Sequence, residues 1–241
     1  MIGNEADQMF GGKFGTLFKR TSKPVDKKKT VLTVSSTPQK TIDPVRIGDI
    51  GEHKVNIQLD QFPKDCRHIS DILLPNLRSK TGYAQIDHIL ITPHAIFVIE
   101  TKNYEGSIRG KRNDLNWRVN AKFNMYNPIK QNDTHIRTLK GVLPEFRNIP
   151  FVSIVSFTMR CKLNIDEDVR RIESDVLVVY DVKLTDYIER KLIRFKHEQP
   201  TPPLSDADVL RISELISASH IADPQKRAEH NRKAGEVRFT K

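Results

Sequence analysis

Apolar positions along the chain fall into two rhythms, one of helical period and one of short runs separated by turn residues. Ile47, Ile50, Val55 and Leu59 recur at roughly helical spacing and Pro63 closes the stretch, which predicts a first helix over 47–62. A short strand is expected over 68–74, ended by Pro75. The runs QIDHILI and AIFVIETK flank Thr92-Pro93-His94 and read as a hairpin-like pair of strands. Both are apolar on two faces in their middle, as central strands covered by helices on each side should be. Two strand pieces follow in 107–119 around Lys111-Arg112-Asn113-Asp114, with Trp117 on the return. Asn127-Pro128 opens a helix running to about Leu143, because Asn is a favoured N-cap and Pro is tolerated at the first helical position. Its inward residues are expected to be Ile129, Ile136, Leu139 and Leu143. Strands at 151–158 and 176–180 precede helices near 184–195 and 205–219, the last with Ser205 and Asp208 at capping-box spacing. The order predicts an α/β fold, a central mixed β-sheet flanked by helices on both faces.

The ends of the chain break this rhythm. Residues 19–46 mix Lys, Ser, Thr and Pro around one short apolar patch and read as a flexible lead-in. After Asp223-Pro224 the sequence QKRAEHNRKAGEVRFTK reads as a frayed helix or a disordered tail. Three parts are therefore expected: a basic N-terminal extension over 1–46, one domain over 47–223 and a basic tail over 224–241. With 241 residues, 37% hydrophobic and 29% charged, the chain suits one packed domain plus extensions rather than two large domains.

The net charge of +10 divides unevenly. Residues 1–46 hold nine Lys or Arg against four acids, and 224–241 hold six against two, which leaves +1 for 47–223. Within that middle part, 102–140 carries nine basic residues against Glu105, Asp114 and Asp133, while 163–189 carries eight acids against Arg170, Arg171 and Lys183. One basic and one acidic face are expected. A basic face suits a polyanion, and nucleic acid is the commonest such partner; a solvated surface with accidental clustering is the alternative. No apolar run approaches the roughly 20 residues of a membrane-spanning helix, and the first residues do not read as a secretory signal, so a cytoplasmic protein without membrane attachment is expected. Cys66 and Cys161 have no CxxC partner and read as plain thiols.

The chemistry concentrates where charged residues interrupt strands that otherwise read as buried. Glu100 and Lys102 are two apart on one strand and share a face, and Asp87 lies on the neighbouring strand. If the strands pair, all three converge at one end of the sheet, two carboxylates for a hard divalent cation and an ammonium beside them. An ion held there polarises a phosphodiester and acidifies water.

Asp87, a spacer containing a turn, then Glu100-x-Lys102 resembles the PD-(D/E)xK nuclease pattern, with Ile86 rather than Pro before the aspartate. Gly51-Glu52-x-x-Val55, Gln85-Ile86-Asp87-His88, Phe97-Val98-Ile99-Glu100-Thr101-Lys102-Asn103 with Gly106, Trp117, and Asn127-Pro128 followed by Gln131 together resemble the nuclease-related domain (NERD) family over about 47–160. The resemblance implies a restriction-endonuclease-like core acting on DNA with Mg²⁺ or Mn²⁺, RNA remaining an alternative substrate. It implies Asp87, Glu100 and the Thr101 carbonyl as metal ligands, with Glu52 binding directly or through water. Lys102 would orient or deprotonate the attacking water, and Gln131 would line the site. Arg109, Lys111, Arg112, Arg118, Lys122, Lys130 and Arg137 would then contact phosphates.

Other constellations read as structural. His53, His88 and His94 are expected to be packed or surface histidines, and Trp117, Phe97 and Phe157 core residues rather than stacking platforms. Gly11-Gly12-Lys13 lacks the spacing of a phosphate loop. Two alternatives to a nuclease stay open: a DNA-binding module that keeps the fold without cleaving, and a partner-recruiting protein using its acidic segment and basic termini. A homodimer is compatible with the fold, and nothing in the sequence marks an interface.

Overall fold

In a computed structural model of the protein, residues 44–239 form five α-helices and nine strands, and side chains are described from 48 to 235. The lead-in at 19–43, Gly11-Gly12-Lys13 and most of the basic extension 1–46 lie outside the described residues. In chain order the elements are α1 (Pro44–Leu59), β1 (Arg67–Pro75), β2 (Tyr83–Ile91), β3 (Ile96–Lys102), β4 (Gly106–Gly110), β5 (Asn116–Val119), β6 (Phe123–Tyr126), α2 (Pro128–Val142), β7 (Phe151–Phe157), β8 (Cys161–Ile165), β9 (Val176–Tyr180), α3 (Leu184–Glu198), α4 (Asp206–Ser219) and α5 (Pro224–Phe239).

Five strands make the central mixed sheet in the order β1-β2-β3-β7-β9. β1, β2 and β3 pair antiparallel, and β3–β7 and β7–β9 pair parallel. The doubly apolar runs of β2 and β3 take the middle because both of their faces are covered. Ile86, Ile89, Ile91, Ile96 and Val98 pack with Leu139 of α2, with Leu143 just past its end, and with Val209, Ile212 and Ile216 of α4. Leu90, Phe97 and Ile99 pack with Val55 and Leu59 of α1 and with Leu184 and Ile188 of α3. Each such fully buried aliphatic side chain contributes about 1.5–3 kcal/mol. The Ser205–Asp208 capping box is formed in both directions at the start of α4.

A second sheet, in the order β6-β5-β4-β8, was not expected as such. β6 buries only Met125 of its four residues, and β8 alternates Cys161 and Leu163 inward with Lys162 and Asn164 outward, so neither makes an apolar run. Trp117 joins the two sheets: its ring stacks on Phe157 at 6.2 Å and its indole N–H donates to the Lys111 carbonyl. Gly110 is required beneath it, because a Cβ there would lie 2.1 Å from the indole ring.

The segment read as a frayed helix or a disordered tail is helical. The Asp223 carboxylate accepts from the Gln225 and Lys226 backbone N–H groups, capping α5, and Arg227 and His230 reach back to β1 and to the turn before β2. Among the described residues no helix is long and apolar enough to cross a membrane.

Candidate active site

The site forms where β2 and β3 splay apart. Their ladder runs from Ile91–Ile96 to His88–Ile99 and stops there, so Asp87 and Glu100 lie just past the last rung. Freed from the ladder, the Thr101 N–H donates instead to Asp87 Oδ2 at 2.7 Å. That bond fixes the aspartate against the end of β3. Glu100 is 2% exposed, and one of its oxygens takes an ion pair from Lys102 Nζ. Lys102 also donates to Gln131 Oε1 at 3.2 Å, which brings α2 into the same cluster.

Several charges of one sign meet here, and the ionisation of Asp87, Glu52 and Lys102 records their neighbours. Burial pushes the Asp87 carboxyl well above the usual aspartate range, and Glu100 and Glu52 push it further, against Lys102 and the Thr101 N–H. Burial likewise raises Glu52, with Asp71, Glu100 and Asp49 adding to it. For Lys102 burial acts downward, yet Glu100 and Asp87 outweigh it and hold the ammonium above its ordinary value. The lysine is therefore a firmly charged group in this cluster.

The helices aim their residues by specific contacts. Gly51 lets α1 press on the end of β3, where a Cβ would sit 3.3 Å from Thr101 Cγ2 and Asn103 Cβ, and Glu52 follows it toward the site. α2 is pinned by Asn132, fully buried, whose amide donates to the Val98 carbonyl at 2.7 Å, Ser153 Oγ at 3.0 Å and the Ile154 carbonyl at 3.2 Å. One turn apart on the same helix, Gln131 meets Lys102 and His135 Nδ1 comes within 3.5 Å of Glu100 Oε2. The buried stripe of α2 is thus Ile129, Asn132, His135 and Leu139, with Ile136 only partly buried.

Two acidic-site neighbours escaped the sequence reading. His135 carried no motif, and its signal was only a polar residue on an inward helical face. Asp71 stands between the Ser70–His88 and Ile72–Ile86 pairs of the β1–β2 ladder, opposite Asp87, with φ +54°. A non-glycine residue in that region is strained. Its carboxylate accepts from Gln85 Nε2 at 2.9 Å and Arg227 Nη1 at 2.6 Å.

Whether a divalent cation fits turns on the free oxygens. Glu100 Oε2 is buried without a hydrogen-bond partner, and Asp87 stands beside it with its ionised form disfavoured, which a cation would relieve. Among the described residues no three His, Cys, Asp or Glu side chains converge as a complete cage. Mg²⁺ needs none, since it is held by one or two carboxylates plus water and phosphate. The donor set fits that ion.

The cationic residues on and around β4–β5 are placed less uniformly than a single basic face. Arg109, Lys111 and Lys122 are exposed. Arg112 instead binds Asp175 at 2.9 Å and Asp168 at 3.5 Å, so the basic and acidic segments meet at this residue rather than forming two separate faces. Arg118 is tied to Asn124 and the Ala121 carbonyl, and Arg137 pairs with Asp133. Lys130 is half-buried on α2. Asn127 holds the tip of this hairpin to α2: its amide reaches the Arg112 and Asp114 carbonyls at 3.0 and 2.7 Å while its oxygen caps the Ile129 N–H. Trp117, Phe97 and Phe157 are fully buried, His88 and His94 are buried, and His53 is exposed. Burial lifts the Cys161 thiol to about 11.

Residues 47–158 match the sequence profile of the nuclease-related domain family. The chain carries a nuclease-related domain. The matched stretch contains Glu52, Asp87, Glu100, Lys102 and Gln131, and the central sheet it builds is consistent with a restriction-endonuclease-like core. An uncharacterized protein of Bacillus anthracis is 33% identical over 122 residues, an alignment that takes in 48% of this chain and 55% of that relative. The chain thus spans about half the length of the curated relative it matches. No solved structure matches the chain significantly. β9, α3 and α4 complete the sheet and its cover and lie beyond the matched residues.

Proposed function

We propose that the protein is a metal-dependent nuclease that hydrolyses DNA phosphodiester bonds in the cytoplasm. The observation that carries this is the buried Glu100 Oε2 beside Asp87, which accepts no hydrogen bond and has the His135 ring 3.5 Å away, with the Lys102 ammonium on the same carboxylate's other oxygen. A domain that only bound a polyanion would have no use for buried carboxylates facing it. Asp87 and Glu100 would hold Mg²⁺ or Mn²⁺, with the Thr101 carbonyl and Glu52 at its margin. When bound, the ion polarises the phosphodiester and acidifies a water molecule.

The chain's own residues supply the rest. Lys102, kept protonated by its carboxylate neighbours, orients the attacking water and offsets charge on the phosphate rather than removing a proton. Gln131 holds the lysine in place from α2. Arg109, Lys111 and Lys122 give affinity without sequence readout.

The Lys102–Glu100 ion pair favours a second reading, a DNA-binding module that does not cleave, because one carboxylate is already neutralised by protein. Incubation of purified protein with supercoiled, linear duplex and single-stranded DNA in Mg²⁺, Mn²⁺ or EDTA separates the two. Metal-dependent cutting that disappears in Asp87→Ala and Lys102→Ala establishes the nuclease. Salt-sensitive DNA binding with no cutting of any substrate establishes the module.

A further inference from the structure

α5 has an unusual composition for a helix that docks on a domain. Over 224–235 its only apolar residues besides Pro224 are Ala228 and Ala234, so this stretch has no apolar stripe to bury. Polar contacts hold it instead. Arg227 grips Asp71 through the side-chain oxygen at 2.6 Å and the carbonyl at 3.1 Å. His230 Nδ1 lies 3.0 Å from Thr81 Oγ1, and the His230 ring meets Tyr83 edge-on at 6.2 Å. Through Asp71 and Tyr83 the helix is fixed beside the strand that carries Asp87.

The charge left over on this side is positive. The acids nearest the contact are consumed, Asp71 by Arg227 and Glu229 by Lys233. Arg78 and Lys80, in the turn that touches His230, and Lys226 on α5 are exposed or half-exposed, and no carboxylate pairs with them among the described residues. On the β4–β5 hairpin Arg112 and Arg118 are spent within the protein, while Arg109, Lys111 and Lys122 stay exposed.

We infer that the 76–82 turn and the outer side of α5 form a phosphate-binding strip that grips the nucleic acid backbone beside the site. The choice of nucleic acid as the polyanion rests on the proposed function; the strip itself rests on charge and placement. Thr81 lies six residues before Asp87, the last four steps along β2, so the two are at most about 20 Å apart. That reach corresponds to at most about six nucleotides of rise along one strand.

The test is the salt dependence of duplex binding by the full chain, read by fluorescence anisotropy in EDTA between about 50 and 200 mM salt. A triple variant, Arg78→Gln, Lys80→Gln and Lys226→Gln, is compared with a control changed at the exposed Lys162 and Lys183. Loss of three phosphate contacts lowers the slope of log K against log salt by about 2–3 for the triple variant, with the control unchanged. A duplex shortened by about six base pairs on either side of its centre removes the difference between wild type and variant. An unchanged slope in a triple variant whose circular dichroism and melting match wild type overturns the strip. So does loss of binding to phosphatidylserine vesicles with the duplex slope intact. Because binding is read without metal, the two proposals fail separately: cutting by wild type with an unchanged slope removes only the strip, and a lowered slope without cutting in Mg²⁺ removes only the nuclease.

Discussion

The splayed end of β2–β3 and the β4–β5 hairpin are both rich in charge, and they handle it in opposite ways. At the splayed end Asp87 and Glu100 stand beside one lysine, with Glu52 of α1 adding to the negative field on Asp87, and a buried oxygen of Glu100 is left without a hydrogen bond. In the hairpin, Arg112 finds Asp168 and Asp175, and the backbone at 111–114 is closed by Asp114, Asn127 and Asp166. Charge balanced by its neighbours holds a fold together; buried charge left unbalanced costs stability and is kept where a ligand completes it.

The largest effect that would break this contrast is on catalysis. Lys102→Ala and Glu100→Gln are expected to lower plasmid nicking by about 10²–10⁴-fold, as removal of a positioned acid–base or charge-stabilising group does. Arg112→Ala is expected to leave the single-turnover cutting rate on bound plasmid within about threefold of wild type. Equal losses in both regions would erase the distinction.

Stability should move the other way. Asp87→Asn removes a disfavoured charge while keeping an acceptor for the Thr101 N–H, and is expected to raise the thermal midpoint by about 2–4 °C per kcal/mol gained. Mg²⁺ should raise the midpoint of wild type and not that of this variant. In the supporting helix, Asn132→Ala is expected to cost about 1–3 kcal/mol in urea unfolding, because three buried acceptors lose their donor. Arg112→Ala should cost about 1 kcal/mol or less, since its ion pairs are partly exposed.

The smallest effect concerns the far end of the sheet. Burial lowers the pKa of His94 from 6.5, with Lys196 adding to it. A depressed folded pKa means the neutral histidine's contribution is complete above about pH 6.5 and is lost as pH falls from there toward the folded value. Wild type should therefore lose more thermal stability between pH 7 and 5 than His94→Gln. A parallel loss in the two proteins would assign the acid sensitivity elsewhere.

Strands β2, β3, β7 and β9 and the helices at 128–142, 184–198 and 206–219 were legible because each has a run or period that survives without knowledge of its neighbours. β6 and β8 were not, since one carries a single buried side chain and the other is held mainly by the strand it pairs with. The sequence left 224–239 open between a frayed helix and a disordered tail for the same reason: the helix's support lies in Asp71 and Thr81, some 150 residues away in the chain.

The candidate site divides along the same line. Asp87, Glu100 and Lys102 could be named from sequence because charge inside an apolar strand is costly wherever the strand ends up, and strand periodicity puts Glu100 and Lys102 on one face. Asp71, His135 and Arg227 stand on an edge strand, an inward helical face and a polar helix, where nothing local marks them. Sequence by itself determined which strands are central and which carry the candidate site residues, since hydrophobic period and charge are local properties of the chain. The tertiary structure alone decided which charges are balanced and which are left open, because pairing energy depends on separation and burial that only the assembled sheets and helices define.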